Sequence, residues 1–337
     1  MHKFLPVLTL AAIIGCRSQP DPPPGEGRLP PAGAAIVMIG PPIGDPHWPA
    51  IVGGARRFLS NYPGVRLEVW NLAAADPAEF RKLVQSAKRR QPAAVILYVT
   101  NMPNFVAEAR GLASAGPRIV TIGLRLDLDV FGHVEVGLAD AAGVLGQNLA
   151  NIAPGRRTYV LLHANGGSPL ASQMYLRFNS AALEQSGIVR LTERNVVDAR
   201  ASERELVAAM LAQFPSSALV VTLEPSLWLS RPPEELLGRQ RRFATIGAPP
   251  TLWGELRSGR AAALVGALDG EIGAQAAELA LEAVLDIRRE VRTASVRCEL
   301  VTPETLDDFA RRYAESAGLN VAALLPDRQT TRPSQPN

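Results

Sequence analysis

The sequence predicts an α/β fold of two doubly wound parallel-sheet lobes. Three observations carry this expectation. Apolar runs of strand length alternate with amphipathic runs of helical length, the signature of βαβ units. Several strand runs, such as "AAIVMIG" and "AAVILYVT", are apolar throughout, as strands covered by helices on both faces must be. The alternation then restarts, and 337 residues, 47% of them hydrophobic, suffice for two cores of ~100–200 residues each.

The elements follow in order. "AAIVMIG" is a buried strand, and "PAIVGGARRFLSNYPG" is a helix with a Pro-Gly stop. "VRLEVWNL" alternates as a strand. "DPAEFRKLVQSAKRRQ" opens with Asp76 as cap, Pro77 at the first helical position and Glu79 in the first turn. "AAVILYVT", "MPNFVAEARGLASAG" and "RIVTIGL" read as strand, helix and strand. After the restart, "DAAGVLGQNLANIA" is a helix, "RTYVLLHA" a strand, "LASQMYLRFNSAALEQSG" a helix and "IVRLTERNVV" a strand. "SERELVAAMLAQFP" is a capped helix, and "SALVVTLE", "RFATIGA" and "AALVGAL" are strands. A helix, "DGEIGAQAAELALEAVLDIRREV", and one strand, "ASVRCELVT", complete the pattern.

The N-terminus is of a different kind. "MHKFLPVLTLAAIIGC" has a positive start at Lys3, an apolar run and Gly15-Cys16. The run is too short for a bilayer span, which needs ~20 apolar residues. It has the anatomy of a secretion signal, and "IIGC" resembles the lipobox in which a cysteine is lipid-modified after cleavage. That resemblance implies lipidation at Cys16 and several acyl groups, enough for stable anchoring. Residues 17–33, "RSQPDPPPGEGRLPPAG", read as a semi-extended spacer. The C-terminal "LLPDRQTTRPSQPN" reads as a disordered tail.

The formal net charge is only +3. Basic clusters such as "KRR" (88–90) and "RQRR" (239–242) read as solvated helix ends, and no concentrated basic face with a recognised module argues for nucleic acid. Cys298, in a strand-like run, reads as a small buried hydrophobe with no disulfide framework around it. There is no HExxH, paired CxxC, GxSxG or Walker A motif, and His2, His47, His133 and His163 are dispersed. No metal or cofactor is implied. An enzyme on these lobes is the least favoured class, though triad partners need not be near in sequence.

In open parallel sheets, ligands bind beyond the carboxyl ends of the strands, where the winding reverses. After the first strand come Asp45, Pro46, His47 and Trp48. Pro41, Pro42 and Pro46 suit a turn, Asp45 a helix cap and Trp48 a hydrophobic staple. His47 is left without a role by that reading, and a Trp face can stack on a sugar ring or another flat ligand. Asn101, after the third strand, is a cap or a ligand contact. Arg125, after the fourth, is solvated or offers a planar fork of donors. Asp140 reads as the N-cap of the next helix and can still present an oxygen to a cleft. "NGGSP" (165–169) is a turn, or an anion site ahead of a helix. Glu224 follows a second-lobe strand, with Trp228 just beyond.

Taken in order, these stretches resemble the type I periplasmic binding proteins of sugar ABC transporters, the ribose/galactose-binding group, over residues 34–312. "DPHWPAIVGGARRFL" resembles the family's Asn/Asp-Pro-aromatic-aromatic stretch and its Gly-Ala helix. "AAVILYVTN", "SAGPRIVTIG", "VGLADAAGVLG", "LRSGRAAALVGALDGEIGAQAAELALEAV" and "VRCELVTPETLDDF" match later landmarks. The resemblance implies two lobes joined by crossover hinge strands, a hinged trap that closes on a ligand without chemistry, its closure read by a membrane permease. It implies ligand contacts at Asp45, His47, Trp48, Asn101, Arg125, Asp140 and Glu224. The chain departs from the sugar-binding pattern at several points. Gly123-Leu124 stand where Asp-Arg is usual, Ser172-Gln173-Met174 where an Arg is usual, and Leu223-Glu224 where Asn-Asp is usual. Gly247-Ala248-Pro249 replace Gly-Phe-Asp, and the late Gln is replaced near Gly266-Ala267.

The expected division is a signal peptide (1–15), a tether (16–33), a first lobe (34–139 with 267–292), a second lobe (140–266 with 293–318) and a tail (319–337). The expected function is a lipid-anchored solute-binding protein, a monomer at the periplasm or cell surface, that delivers a sugar or sugar-like ligand to an ABC permease. The alternative is a ligand-sensing or scaffold lipoprotein acting with a membrane receptor.

Overall fold

The computed structural model describes residues 30–42, 44–73, 76–99, 106–123, 125, 129–163, 169–185, 187–196, 201–229, 232–238, 240–287 and 290–325. Cys16, Asn101 and the "NGGSP" loop up to Ser168 lie outside them.

Each lobe is built on one six-stranded sheet. The first holds β1 (Ala34–Pro42), β2 (Val65–Leu72), β3 (Ala94–Val99), β4 (Arg118–Gly123), β5 (Gly132–Val136) and the late β11 (Arg292–Val296). Its order is β11-β5-β4-β3-β1-β2, and every pair is parallel. The second holds β6 (Thr158–His163), β7 (Val189–Asn195), β8 (Leu219–Thr222), β9 (Phe243–Ile246), β10 (Ala261–Gly266) and β12 (Glu299–Val301), in the order β12-β10-β9-β8-β6-β7. Only β12 runs antiparallel, against β10. The winding reverses at β1 in one sheet and at β6 in the other, so the space beyond those two strands is where ligands bind in such sheets.

Alternation along the strands explains the layers. Ile36 and Met38 of β1 face one side with α1 (Trp48–Leu59) and α11 (Asp269–Val284); Val37 and Ile39 face the other with α2 (Pro77–Arg90) and α3 (Val106–Ala113). In the second lobe, α4 (Leu138–Gln147), α5 (Leu149–Ile152) and α6 (Pro169–Leu183) cover one face. The other face carries α7 (Ala201–Leu211), α8 (Ser226–Leu229), α9 (Pro233–Leu237), a 3₁₀ turn at Pro250–Leu252, α10 (Trp253–Arg257) and α12 (Leu306–Ala317). A last turn, α13 (Val321–Leu324), is capped by Asn320, whose side chain accepts from the Ala322 N–H.

Asp76 caps α2 as expected, accepting from the Ala78 N–H at 2.9 Å with Pro77 behind it. Asp140 does not cap α4. Gly137 occupies that position and Asp140 is an exposed residue of the first turn, because β5 runs directly into the helix. The stretch "ASVRCELVT" is not one strand: β11 pairs with β5 in the first sheet and β12 with β10 in the second, with Arg297 and Cys298 between. The third crossing is therefore at Arg297-Cys298, five residues later than the division at 292/293 places it. β5 itself, "GHVEV", has no apolar run to announce it. Residues 321–324 form a helical turn where a tail was expected.

The lobes are joined at three crossings: through Gly137, through Ala267-Leu268 and through Arg297-Cys298. Gly137 N–H donates to Val296 O at 3.1 Å, tying the first crossing to the third. Helices α1, α11 and α12 meet beside them backbone to backbone. A Cβ on Gly54 would lie 1.8 Å from Gly270 O, one on Gly273 1.7 Å from Ile51 O, and one on Gly53 2.2 Å from Ala317 O. Alanine at Gly54 should therefore destabilise the protein by about 1–3 kcal/mol through overpacking. Alanine at Gly143, in α4 with nothing within 4 Å of its Cβ position, should stabilise it by up to ~1 kcal/mol through helix propensity. Urea unfolding of the two variants measures both; equal effects would contradict the close approach of α1 and α11.

Candidate functional site

The carboxyl end of β1 leads into α1 through Asp45. Its Oδ1 accepts from the backbone N–H of His47 at 2.9 Å and of Trp48 at 3.2 Å, which fixes the turn and starts the helix. His47, at the N-cap position, makes no side-chain cap bond. Its Nδ1 instead lies 2.8 Å from Oδ2 of Asp269, at the start of α11. The Tyr313 hydroxyl of α12 donates to the same oxygen at 2.8 Å. Asp269 is 5% exposed, so an imidazole and a phenol hold a nearly dry carboxylate between three helices. Burial alone would lower the His47 pKa. The Asp269 carboxylate, by charge and hydrogen bond, and Asp45 more weakly, outweigh it and raise the pKa above the usual value. Burial, with the charges of Asp269 and Asp45, pushes the Tyr98 and Tyr313 phenols up.

Trp48 is packed inward. Its ring is 4% exposed, it lies so close over Gly40 that a Cβ there would touch it at 2.0 Å, and its Nε1 donates to Asn71 Oδ1 at 3.2 Å. Tyr98, near the end of β3, stacks on it at 5.6 Å and is the more exposed of the two rings. Sequence reasoning took Trp48 as the stacking surface and passed over Tyr98; an aromatic closing an otherwise aliphatic strand was the signal. Asp269 and Tyr313 were missed too. Asp269 opens a helical run, where an acid is ordinary, and nothing in sequence ties it to His47, 222 positions away.

The other expected contacts divide between the crossings and the second lobe. Asp140 lies near Cys298: burial first, then the charges of Asp269, Asp140 and Glu299, raise that thiol to about 12. Cys298 packs on cores of both lobes. Arg125 is exposed, and its charge reaches buried His133, whose pKa falls chiefly through burial. Glu224, half-buried just past β8, accepts from the Ser226 hydroxyl at 3.1 Å, and burial raises its pKa. Trp228 is core: it stacks on Phe243 and donates to Thr222. His163 ends β6, the second lobe's switch strand. It stacks on Tyr175 at 4.6 Å, and its buried Nδ1 has no partner among the described residues. The structure thus gathers Asp45, His47 and Trp48 with Tyr98, Asn71, Asp269 and Tyr313, and sets Glu224 just past β8 and His163 at the end of β6 in the opposite sheet. Among the described residues no group of three or more His, Cys, Asp or Glu could hold a metal ion.

No protein-family model matches the chain, and no curated protein sequence matches it. Solved structures do. A glucose-galactose binding protein, GanP, from Geobacillus stearothermophilus superposes with a TM-score of 0.67 at 17% identity, over 81% of this chain and 98% of its own. A solute-binding protein of an ABC transporter from Bacillus halodurans, with bound myo-inositol, gives a TM-score of 0.69 at 17% identity over 84% and 99%. The XylFII-LytSN complex gives 0.64 at 16% identity over 81% and 99%. The two-lobed α/β fold is that of sugar-binding ABC-transporter solute-binding proteins.

The His47–Asp269 pair has a signed pH dependence. A His whose folded pKa is raised stabilises the fold fully below the unfolded pKa and loses that contribution as pH rises through the folded one. His47→Asn should cost about 1.5–3 kcal/mol at acid pH, the scale of a hydrogen bond to a charged group. The gap to the native protein should then shrink as pH rises past the raised His47 pKa. Urea midpoints across that range test it, and a gap independent of pH would contradict the pairing.

Proposed function

We propose that this chain is a lipid-anchored extracytoplasmic solute-binding protein that holds a small sugar or cyclic polyol between its lobes and presents it to an ABC transporter permease. The observation carrying this reading is the topology: two sheets reverse their winding at β1 and β6, and polar side chains of both lobes follow the switch strands and their neighbours. The solved proteins that share the fold include one holding myo-inositol and one holding α-D-tagatopyranose. Asp45 and His47, with Tyr98 above buried Trp48, form the first-lobe side, and Glu224 the second. Asn101, Arg125 and Asp140 complete the set by their place after strands. A ligand that bonds both lobes favours the closed arrangement by its differential affinity, with no bond made or broken. Lipid on Cys16 and the Pro/Gly spacer would hold the protein as a monomer at the outer face of a membrane. A second reading, delivery of the signal to a membrane receptor, is favoured by one observation: a protein of this fold was solved in complex with a second protein, LytSN.

Thermal-shift titration with monosaccharides and inositols tests capture. A ligand at 100 times its Kd should add about 2.7 kcal/mol of stability. Glu224→Ala should weaken that ligand at least roughly tenfold, as loss of a hydrogen bond to a charged group does, with little change in the unliganded melting point. No shift with any sugar or polyol would refute it. For the anchor, cells fed labelled palmitate should label the native chain and not Cys16→Ser; absence of label on both would refute lipidation alone.

A further inference from the structure

At the end of the first lobe opposite the strand carboxyl ends, the corner built by α1, α2 and β2 is strongly basic, whereas the last turn of α11 holds no cation and its Glu278 and Glu282 pair with Arg292. Parallel strands all begin at this end and their helices all finish there. The last turn of α1 supplies Arg56 and Arg57, the last turn of α2 supplies Lys88, Arg89 and Arg90, and the start of β2 supplies Arg66. Glu68 is the acidic residue among them, and its two oxygens are taken up by Arg66 and Arg90, each at 2.8 Å. Farther along the same end, Arg118 is paired with Asp286. Cations in last turns offset the helix dipole, which accounts for those on α1 and α2; it does not account for Arg66 on an edge strand, nor for the relief around these side chains. Two depressions of about 290 and 350 Å³ adjoin here and share Arg90. One is lined by Arg66, Glu68 and Arg90, the other by Trp70, Ser86, Arg89 and Arg90. The Arg90 guanidinium lies 5.3 Å from the Trp70 ring centre, and Phe58 and Tyr62 stack at the same end. Arginine and lysine beside half-buried Trp and Tyr are the residue types that settle at a bilayer interface.

The chain enters the fold at this end. Gly33 N–H donates to Gly64 O at 3.0 Å, just ahead of β2, so the first described residues, 30–33, lie beside the basic corner. At ~3.1 Å per residue an extended spacer over residues 17–33 reaches about 50 Å at most. We propose that this corner is a docking surface for an anionic phospholipid bilayer, the headgroup phosphates settling against the exposed Arg56, Arg57 and Arg89 beside the Arg66–Glu68–Arg90 cluster, while the strand carboxyl ends point away from the membrane. The anchor reading supplies the orientation, but the contact is the lobe's own and does not need the lipid.

The test uses the full chain carrying Cys16→Ser, sedimented with phosphatidylglycerol vesicles and with phosphatidylcholine vesicles. The difference between the two isolates the charge effect from any insertion of the apolar N-terminal run. Binding should favour phosphatidylglycerol and vanish near 0.5 M salt, where screening shortens to a few ångströms (~4 Å). Adding Arg56→Ala, Arg57→Ala and Arg89→Ala should weaken it roughly 100-fold, from about fivefold per basic residue. Removing the same charge elsewhere, with Arg177→Ala, Arg297→Ala and Arg311→Ala, should leave it within a few-fold (~3-fold). Equal binding to both lipids, or equal loss in both triple variants, overturns the proposal. Because the thioether site is absent throughout, failure here leaves palmitate labelling of Cys16 untouched, and failure of that labelling leaves this result standing.

Discussion

The structure turns on one buried carboxylate. Asp269 sits where α1, α11 and α12 come together, almost without solvent, and an ion there is tolerable only if hydrogen bonds replace the water it loses. His47 and Tyr313 do so from two different helices. The glycines at 53, 54, 270 and 273 make this possible, because they let three backbones close to within contact and bring the donors to one oxygen. Removing the carboxylate leaves a buried phenol and a half-buried imidazole unmatched, and adding bulk at the glycines pulls those donors away. Packing and polarity therefore depend on each other at this junction. The junction also spans the lobes: α1 and α11 belong to the first core and α12 to the second.

That arrangement constrains any rotation of one lobe against the other. The three crossings are short, and one is tied to another through Gly137 and Val296. α12 is a fourth connection, made by packing and by the Tyr313–Asp269 hydrogen bond with no crossing of the chain. Lobes that rotate about the crossings must keep α12 seated on α1 or lose the bonds to Asp269. The turn that carries Asp45 and His47 is thereby held rigidly in the first lobe and braced from the second. A ligand meeting Asp45 and His47 on one side and Glu224 on the other acts on elements already coupled through this junction.

Most of the fold was legible because its signals are local. Continuous apolar strands, the Asp76-Pro77 start of α2 and the Pro-Gly stop of α1 each act within a few residues. β5 escaped because "GHVEV" offers only two valines; it is recruited by its neighbours β4 and β11. "ASVRCELVT" misled because nothing in nine extended residues shows that the chain changes sheets between Val296 and Glu299. The site was legible only in part for the same reason. Asp45, His47 and Trp48 could be found from an overdressed turn. What each does depended on partners far away in sequence. Trp48 packs on Gly40, His47 answers to Asp269, and half-buried Tyr98 lies against Trp48 as the less buried ring. Asp140 looked like a cap because it precedes a helical run, but β5 hands over to α4 at Gly137, three residues earlier.

The same topology explains why the two ends of the first lobe differ. A parallel sheet collects every strand's carboxyl end, and every following helix's N-terminus, on one edge of the lobe. That edge is positive in its dipoles and takes acids such as Asp45 and Asp269 at helix starts. The opposite edge collects helix C-termini and takes cations, here Arg56, Arg57 and Lys88–Arg90. A doubly wound lobe is therefore polarised before any function is asked of it. Distributing the proposed ligand contacts to the acidic edge and the proposed membrane contact to the basic one exploits a division that the winding has already made, and keeps the two proposed uses from competing for the same surface.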